Sequence, residues 1–208
     1  MDSKIKVKGN AKAWGPPDHA KITIEIKANA ASETDVFEDV ATRSKKLEGL
    51  LRELGVPNEA VHSKNVQLRD SWHEGEPRVV AENELEVTVP DQDGVGRLIT
   101  AAIREVDAHV KGLTWELTPD NSLHHDVMLM ATKNARNKAE AQAEALGVSL
   151  GPVLEVSEWE PYRSFEHHDR LGHFTIADES REAAFQIFEG QVEVDAAIEV
   201  TFALLAPD

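Results

Sequence analysis

Residues 126–147 read DVMLMATKNARNKAEAQAEALG, with alanine at 131, 135, 139 and 143. Residues four apart share one face of a helix, so these alanines make a narrow, smooth stripe. Val127, Met128 and Leu146 widen it into an apolar face, while Lys133, Arg136, Lys138, Glu140 and Glu144 fall mostly on the other side. Ala, Lys, Glu, Gln and Leu are strong helix formers, and Gly147 is the residue favoured just past a helix end. A stripe of methyl groups lets another element come close. The segment predicts a helix laid flat on a sheet.

Downstream, Ser149-Leu150-Gly151-Pro152 leads into a strand at Val153–Trp159. Val192–Leu204 has the longest and cleanest apolar/polar alternation in the chain. The polar residues 160–190 between them predict a long loop. Upstream, Pro119-Asp120-Asn121-Ser122 is a turn. Before it come a strand at His109–Thr118, a helix at Gly94–Val106 and a strand at Val79–Val89. Asp70–Pro77, with Trp72 and His73, predicts a polar loop after a weakly patterned strand at Val61–Leu68. Ser32 with Asp35 resembles a capping box and opens a helix through Val36, Val40, Leu47 and Leu51 that stops at Gly55-Val56-Pro57. Nearer the start, Ile5 and Val7 mark a short strand, and Gly9–Pro17 carries turn formers. His19–Asn29 alternates as a half-buried strand, and the two strands are expected to pair as a hairpin.

The order is β-β-α-β-β-α-β-α-β-β. Without strict βα alternation it predicts an α+β fold, with helices packed on an antiparallel or mixed sheet. Residues 1–208 are read as a single domain, a size one core can serve. Leu54-Gly55-Val56 and Leu146-Gly147-Val148 end two helices alike, a hint of duplication.

With 22 basic and 38 acidic residues the formal charge is −16, which repels phosphate backbones and anionic membrane surfaces. Lys4, Lys6 and Lys8 alternate as a solvated strand face would, and no basic cluster stands out. Aromatics are 5%, too few for a base-stacking platform. Nucleic acid is therefore not an expected partner. There is no cysteine, which rules out disulfides, thiolate metal sites and cysteine nucleophiles. No apolar run approaches a membrane span. The N-terminal MDSKIKVKGNAKAW has no apolar signal core, so the expected location is cytoplasmic, or exported if a leader has been removed.

Taken in order, the segments resemble the SIMPL domain, also called DUF541. Gly9 and Pro17-Asp18-His19-Ala20 are similar to the family's early glycine and PD-x-A turn, and Leu54-Gly55-Val56 to its first helix end. Residues 83–89 (NELEVTV) and 95–99 (VGRLI) resemble its central strand and following helix. Residues 135–141 (ARNKAEA), Ala145-Leu146-Gly147, Gly151-Pro152-Val153 and Glu189-Gly190-Gln191-Val192 complete the match. The family's glycine before the fifth strand is replaced around Asp107-Ala108. The resemblance implies an α+β domain that self-assembles and has no established catalytic residues. Family members are linked to oxidative-stress defence, to surface antigens and to a kinase-associated adaptor.

The residues offer two chemistries to weigh. His167, His168, Asp169 and His173 lie in the long loop, and His124-His125 precede the alanine stripe; imidazole and carboxylate there could bind zinc, nickel or copper. Neighbouring histidines on an extended chain point apart, the helical HExxH spacing is absent, and an exposed polar loop explains the same residues. No GxSxG elbow or phosphate loop is present. Trp14, Trp72 and Trp159 sit in or beside turns, and burial is expected for at least two of them. The expectation is a non-enzymatic, self-assembling structural or adaptor module, its stress linkage coming from the resemblance alone, with no catalytic, cofactor or metal residues assigned. It would act as a homo-oligomer with a protein partner. The alternative is a metal- or ligand-binding stress protein using residues 167–173.

Overall fold

In the computed structural model, which describes residues 3–90, 92–159 and 190–206, the chain folds in the order the sequence predicts. The elements are β1 (Lys4–Gly15), β2 (His19–Ala30), α1 (Glu33–Glu53), a 3-10 turn (Asn58–Ala60), β3 (Val61–His73), β4 (Glu76–Val89), α2 (Gln92–Val106), β5 (His109–Glu116), α3 (Ser122–Ala145), β6 (Ser149–Trp159) and β7 (Val192–Leu205). The class is α+β, with two antiparallel sheets ordered β1-β7-β6 and β3-β4-β2-β5. Two compact units follow from these sheets: β1, α3, β6 and β7 form one, and β2 to β5 with α1 and α2 form the other.

In the first unit α3 lies flat on its sheet. Val127, Ala131, Ala135 and Ala139 are buried against Val7, Ile198, Val200 and Phe202, and Ala143 is buried as well. The helix comes so close that a Cβ on Gly9 would overlap the Ala131 carbonyl oxygen and stand 2.7 Å from the Ala135 Cβ. Lys138 Nζ donates to the Lys8 carbonyl at 2.9 Å, and the Asn10 N–H donates to Asn134 Oδ1 at 3.2 Å. The outer face is a charge ladder, with Lys6 and Lys12 each 2.5 Å from Glu199 and Glu193. Those carboxylates hold both lysines above their ordinary pKa, through the hydrogen bond first.

In the second unit Ile22, Ile24 and Ile26 of the central strand are fully buried against Val36 and Leu47 of α1 and Val95 and Leu98 of α2. Ser32 caps α1 by accepting from the Asp35 N–H at 3.4 Å. Arg43 of α1 donates to the carbonyls of Lys27 and Val106, each at 2.9 Å, and of Asp107, which ties the end of α2 to β2. Both LGV triplets close their helices in the same way. Val56 N–H donates to Leu51 O at 2.9 Å and Gly55 N–H to Arg52 O at 3.1 Å. Val148 N–H donates to Ala143 O and Gly147 N–H to Glu144 O, both at 3.0 Å. These are paired 6→1 and 5→2 bonds around a left-handed glycine.

Four expectations need correction. β1 and β2 do not pair as a hairpin; β1 pairs with β7, and β2 with β4 and β5. Pro16 and Pro17 between them fix φ and lack N–H donors, so they cannot make the tight turn a hairpin needs. β1 also runs straight through Gly9–Gly15, where the sequence suggested turns; Gly9 serves the approach of α3. Asp70–Pro77 is not a loop. β3 and β4 run on to a two-residue turn at Glu74-Gly75, both with positive φ, the geometry of a type I′ hairpin. Pro77 is tolerated because β2 ends at Ala30, opposite Val79, so β4 has no neighbour on that side there. Finally, α3 begins at Ser122, capped by Asn121 accepting from the Leu123 N–H at 3.0 Å, so His124 and His125 lie in its first turn.

Candidate functional site

α1 packs on β2 and β4, and α2 mainly on β2 and β5. β3 is the edge strand beyond that cover, and all its residues except Val61 and Ser71 are exposed. Register fixes which side chains share a face. Val66 pairs with Asn83, Leu68 with Ala81, Asp70 with Val79 and Trp72 with Pro77. Asn83 and Ala81 pair in turn with Ile26 and Ala28 of the core face. Val66, Leu68, Asp70 and Trp72 thus extend the core face past the helices. Val66 is 73% exposed, Leu68 48% and Trp72 72%. Phe37, on the exposed side of α1, is 66% exposed. Large apolar side chains gathered on one uncovered face mark an interaction surface more often than singly scattered ones do.

At the other end of the same face a cavity of about 470 Å³ opens between α1 and the strands. Leu51, Val56, Val61 and Leu85 give it an apolar lining, and Ser44, Lys45, Glu48, Asn58 and Asn83 give it polar groups. Asn83 donates from Nδ2 to Ser44 Oγ at 2.9 Å, while its buried Oδ1 has no partner among the described residues. A buried carbonyl oxygen without a donor is a costly group to leave unmatched.

The opposite face of this sheet is charged and matched within itself. Glu82 takes Lys27 at 2.6 Å and Arg69 at 3.0 Å, Glu86 takes Lys64 at 3.2 Å, and Lys111 takes Glu25 at 2.7 Å and Glu84 at 3.6 Å. The Lys27 hydrogen bond, with Arg69 behind it and burial opposing, holds the Glu82 carboxyl below its ordinary pKa. The Glu25 hydrogen bond holds Lys111 above its own. This face is a solvated ion-pair ladder, worth little per pair.

The sequence reading placed its chemistry elsewhere. His124 and His125 are exposed on α3, and no group of three or more metal-type side chains comes together among the described residues. His167, His168, Asp169 and His173 lie outside the described residues. The expectation that at least two of Trp14, Trp72 and Trp159 are buried fails at the first two. Trp14 is 55% exposed and Trp72 72% exposed, both in strands where the sequence suggested turns. The bare face is not legible in the sequence because residues 70–75 (DSWHEG) read as a loop, breaking the alternation of Val66, Leu68 and Trp72. Among the described residues no helix is long and apolar enough to cross a membrane.

One family match spans both sheets almost end to end. Its model, SIMPL, a protein of unknown function (DUF541), matches residues 5–202. The chain belongs to the SIMPL (DUF541) family. It is similar to the uncharacterized protein YggE of Edwardsiella ictaluri (strain 93-146), with 23% identity over 211 residues, covering 96% of this chain and 86% of that protein. It is also similar to an interleukin-1 receptor-associated kinase 1-binding protein 1 homolog of Xenopus laevis, with 25% identity over 172 residues, covering 76% of this chain and 66% of that protein.

Proposed function

We propose that this SIMPL protein works through its surface, as a self-assembling structural or adaptor module without catalysis of its own. The observation that carries the reading is the bare core-side face of β3, where Val66, Leu68 and Trp72 continue a hydrophobic face that no helix covers. An exposed edge strand of thirteen residues with such a face is an open template for association. The name of the Xenopus relative describes binding to a kinase, which supports a protein partner for this chain too.

The test is solution mass by light scattering, with metal analysis on the same untagged sample. A defined oligomer free of stoichiometric metal is the expected result. A monomer carrying near-stoichiometric metal overturns the reading and favours a binding role for the histidine-bearing residues 167–173.

A further inference from the structure

We infer that the bare face of β3 is a two-fold interface with a second copy of this chain, in which Trp72 of each copy enters the cavity beside Val61 of the other. The inference rests on the self-assembly reading above and gives it a surface.

The face carries both halves of a self-complementary contact. Trp72 is the projecting half, 72% exposed and paired with Pro77 at the hairpin end. The cavity of about 470 Å³ is the receiving half, at the Val61 end of the same strand. The eleven steps from Val61 to Trp72 span about 35 Å at ~3.3 Å per residue. A two-fold axis lying across β3 between the two faces, at the level of Val66 and Leu68, exchanges these ends, so each indole meets the other copy's cavity while the two apolar strips face each other. Isologous contacts have this property: residue i meets j, and j meets i.

Polar groups match under the same axis. Asp70 shares the face of Trp72, two residues away, and Lys45 stands at the cavity. Neither has an ion pair within the chain among the described residues. The rotation that seats Trp72 also carries Asp70 towards the other copy's Lys45. A buried indole N–H needs an acceptor, and the Glu48 and Asn58 side chains that line the cavity carry acceptor oxygens. The edges of the other sheet do not match themselves in this way. β1 carries Lys4, Lys6, Lys8 and Lys12, and β6 carries Glu155 and Glu158, so either edge set against its own copy brings like charges together.

The full chain tests this by sedimentation or light scattering over a concentration series, with circular dichroism melts to check that each variant is folded. Trp72→Ala is expected to weaken association roughly tenfold or more, as loss of a buried aromatic anchor does. Lys45→Asp and Asp70→Lys are each expected to weaken it, and the double variant to restore it, because only opposed charges are rescued by exchange. A wild-type chain that stays monomeric overturns the assembly reading, and this interface with it. A wild-type oligomer that Trp72→Ala leaves unchanged, or a double variant no better than either single one, overturns this interface and leaves the assembly reading standing.

Discussion

Gly9 sets how closely α3 can lie on its sheet. Its missing Cβ leaves the space that the Ala131 carbonyl and the Ala135 methyl occupy. Gly9→Ala is expected to cost about 3 kcal/mol, at the upper end for overpacking, because helix backbone cannot yield as a flexible side chain would. Gly49, one turn from the end of α1, has nothing within 4 Å of where its Cβ would stand. Gly49→Ala is expected to gain about 0.5–1 kcal/mol from helix propensity alone. Urea midpoints of the two variants check both signs. The alanine stripe was legible because helical period shows in any sequence. Its partner glycine was not, because the contact joins residues more than a hundred apart. Asp107 is an intermediate case. Its φ of +54° is one that glycine adopts freely and that a short aspartate tolerates better than most residues. The departure was visible in sequence; its backbone reason was not.

Among the elements, the β3–β4 hairpin is illegible in the sequence for a physical reason. Period-2 patterning appears only where one face is dry, and both faces of β3 meet solvent. Its turn also places Glu74 at a φ of +53°, where Asn or Gly would be the usual choice. Glu74→Gly is expected to stabilise the hairpin by up to about 1 kcal/mol, read as a higher melting temperature. The charged face makes a pH prediction. Glu82 has a folded pKa below its ordinary value of 4.5. Its contribution is therefore complete above the unfolded value and is lost as pH falls through the folded one. Glu82→Gln is expected to cost about 1 kcal/mol near neutrality, a typical figure for a partly screened, charge-assisted pair. The gap to wild type should close as pH falls below 4.5. A gap that stays constant across acid unfolding curves would mean that Glu82 acts through packing rather than charge. Lys111 works in the opposite sense: its pKa is raised from 10.5, so its share is complete below that value and is lost only as pH rises past it.

At the scale of the whole molecule, charge and assembly oppose each other. The chain carries a formal −16, so two copies repel before any patch meets. That repulsion acts at long range and is screened over about 10 Å at 0.1 M salt. The apolar strip of Val66, Leu68 and Trp72 gains from burial, which salt does not screen. Raising salt should therefore strengthen self-association from low to physiological ionic strength, the reverse of an assembly held by opposite charges. The Asp70–Lys45 contact in the proposed interface is expected to lose some of its strength over the same range, but it is local, and the repulsion sums over the whole surface. Association constants measured across a salt series at fixed pH decide the matter. A rise with salt fits a surface that joins through apolar contact despite its net charge. A steep fall means that ion pairs dominate the joint, and would move attention from the bare face of β3 to the lysine edge of β1 and the glutamates of β6.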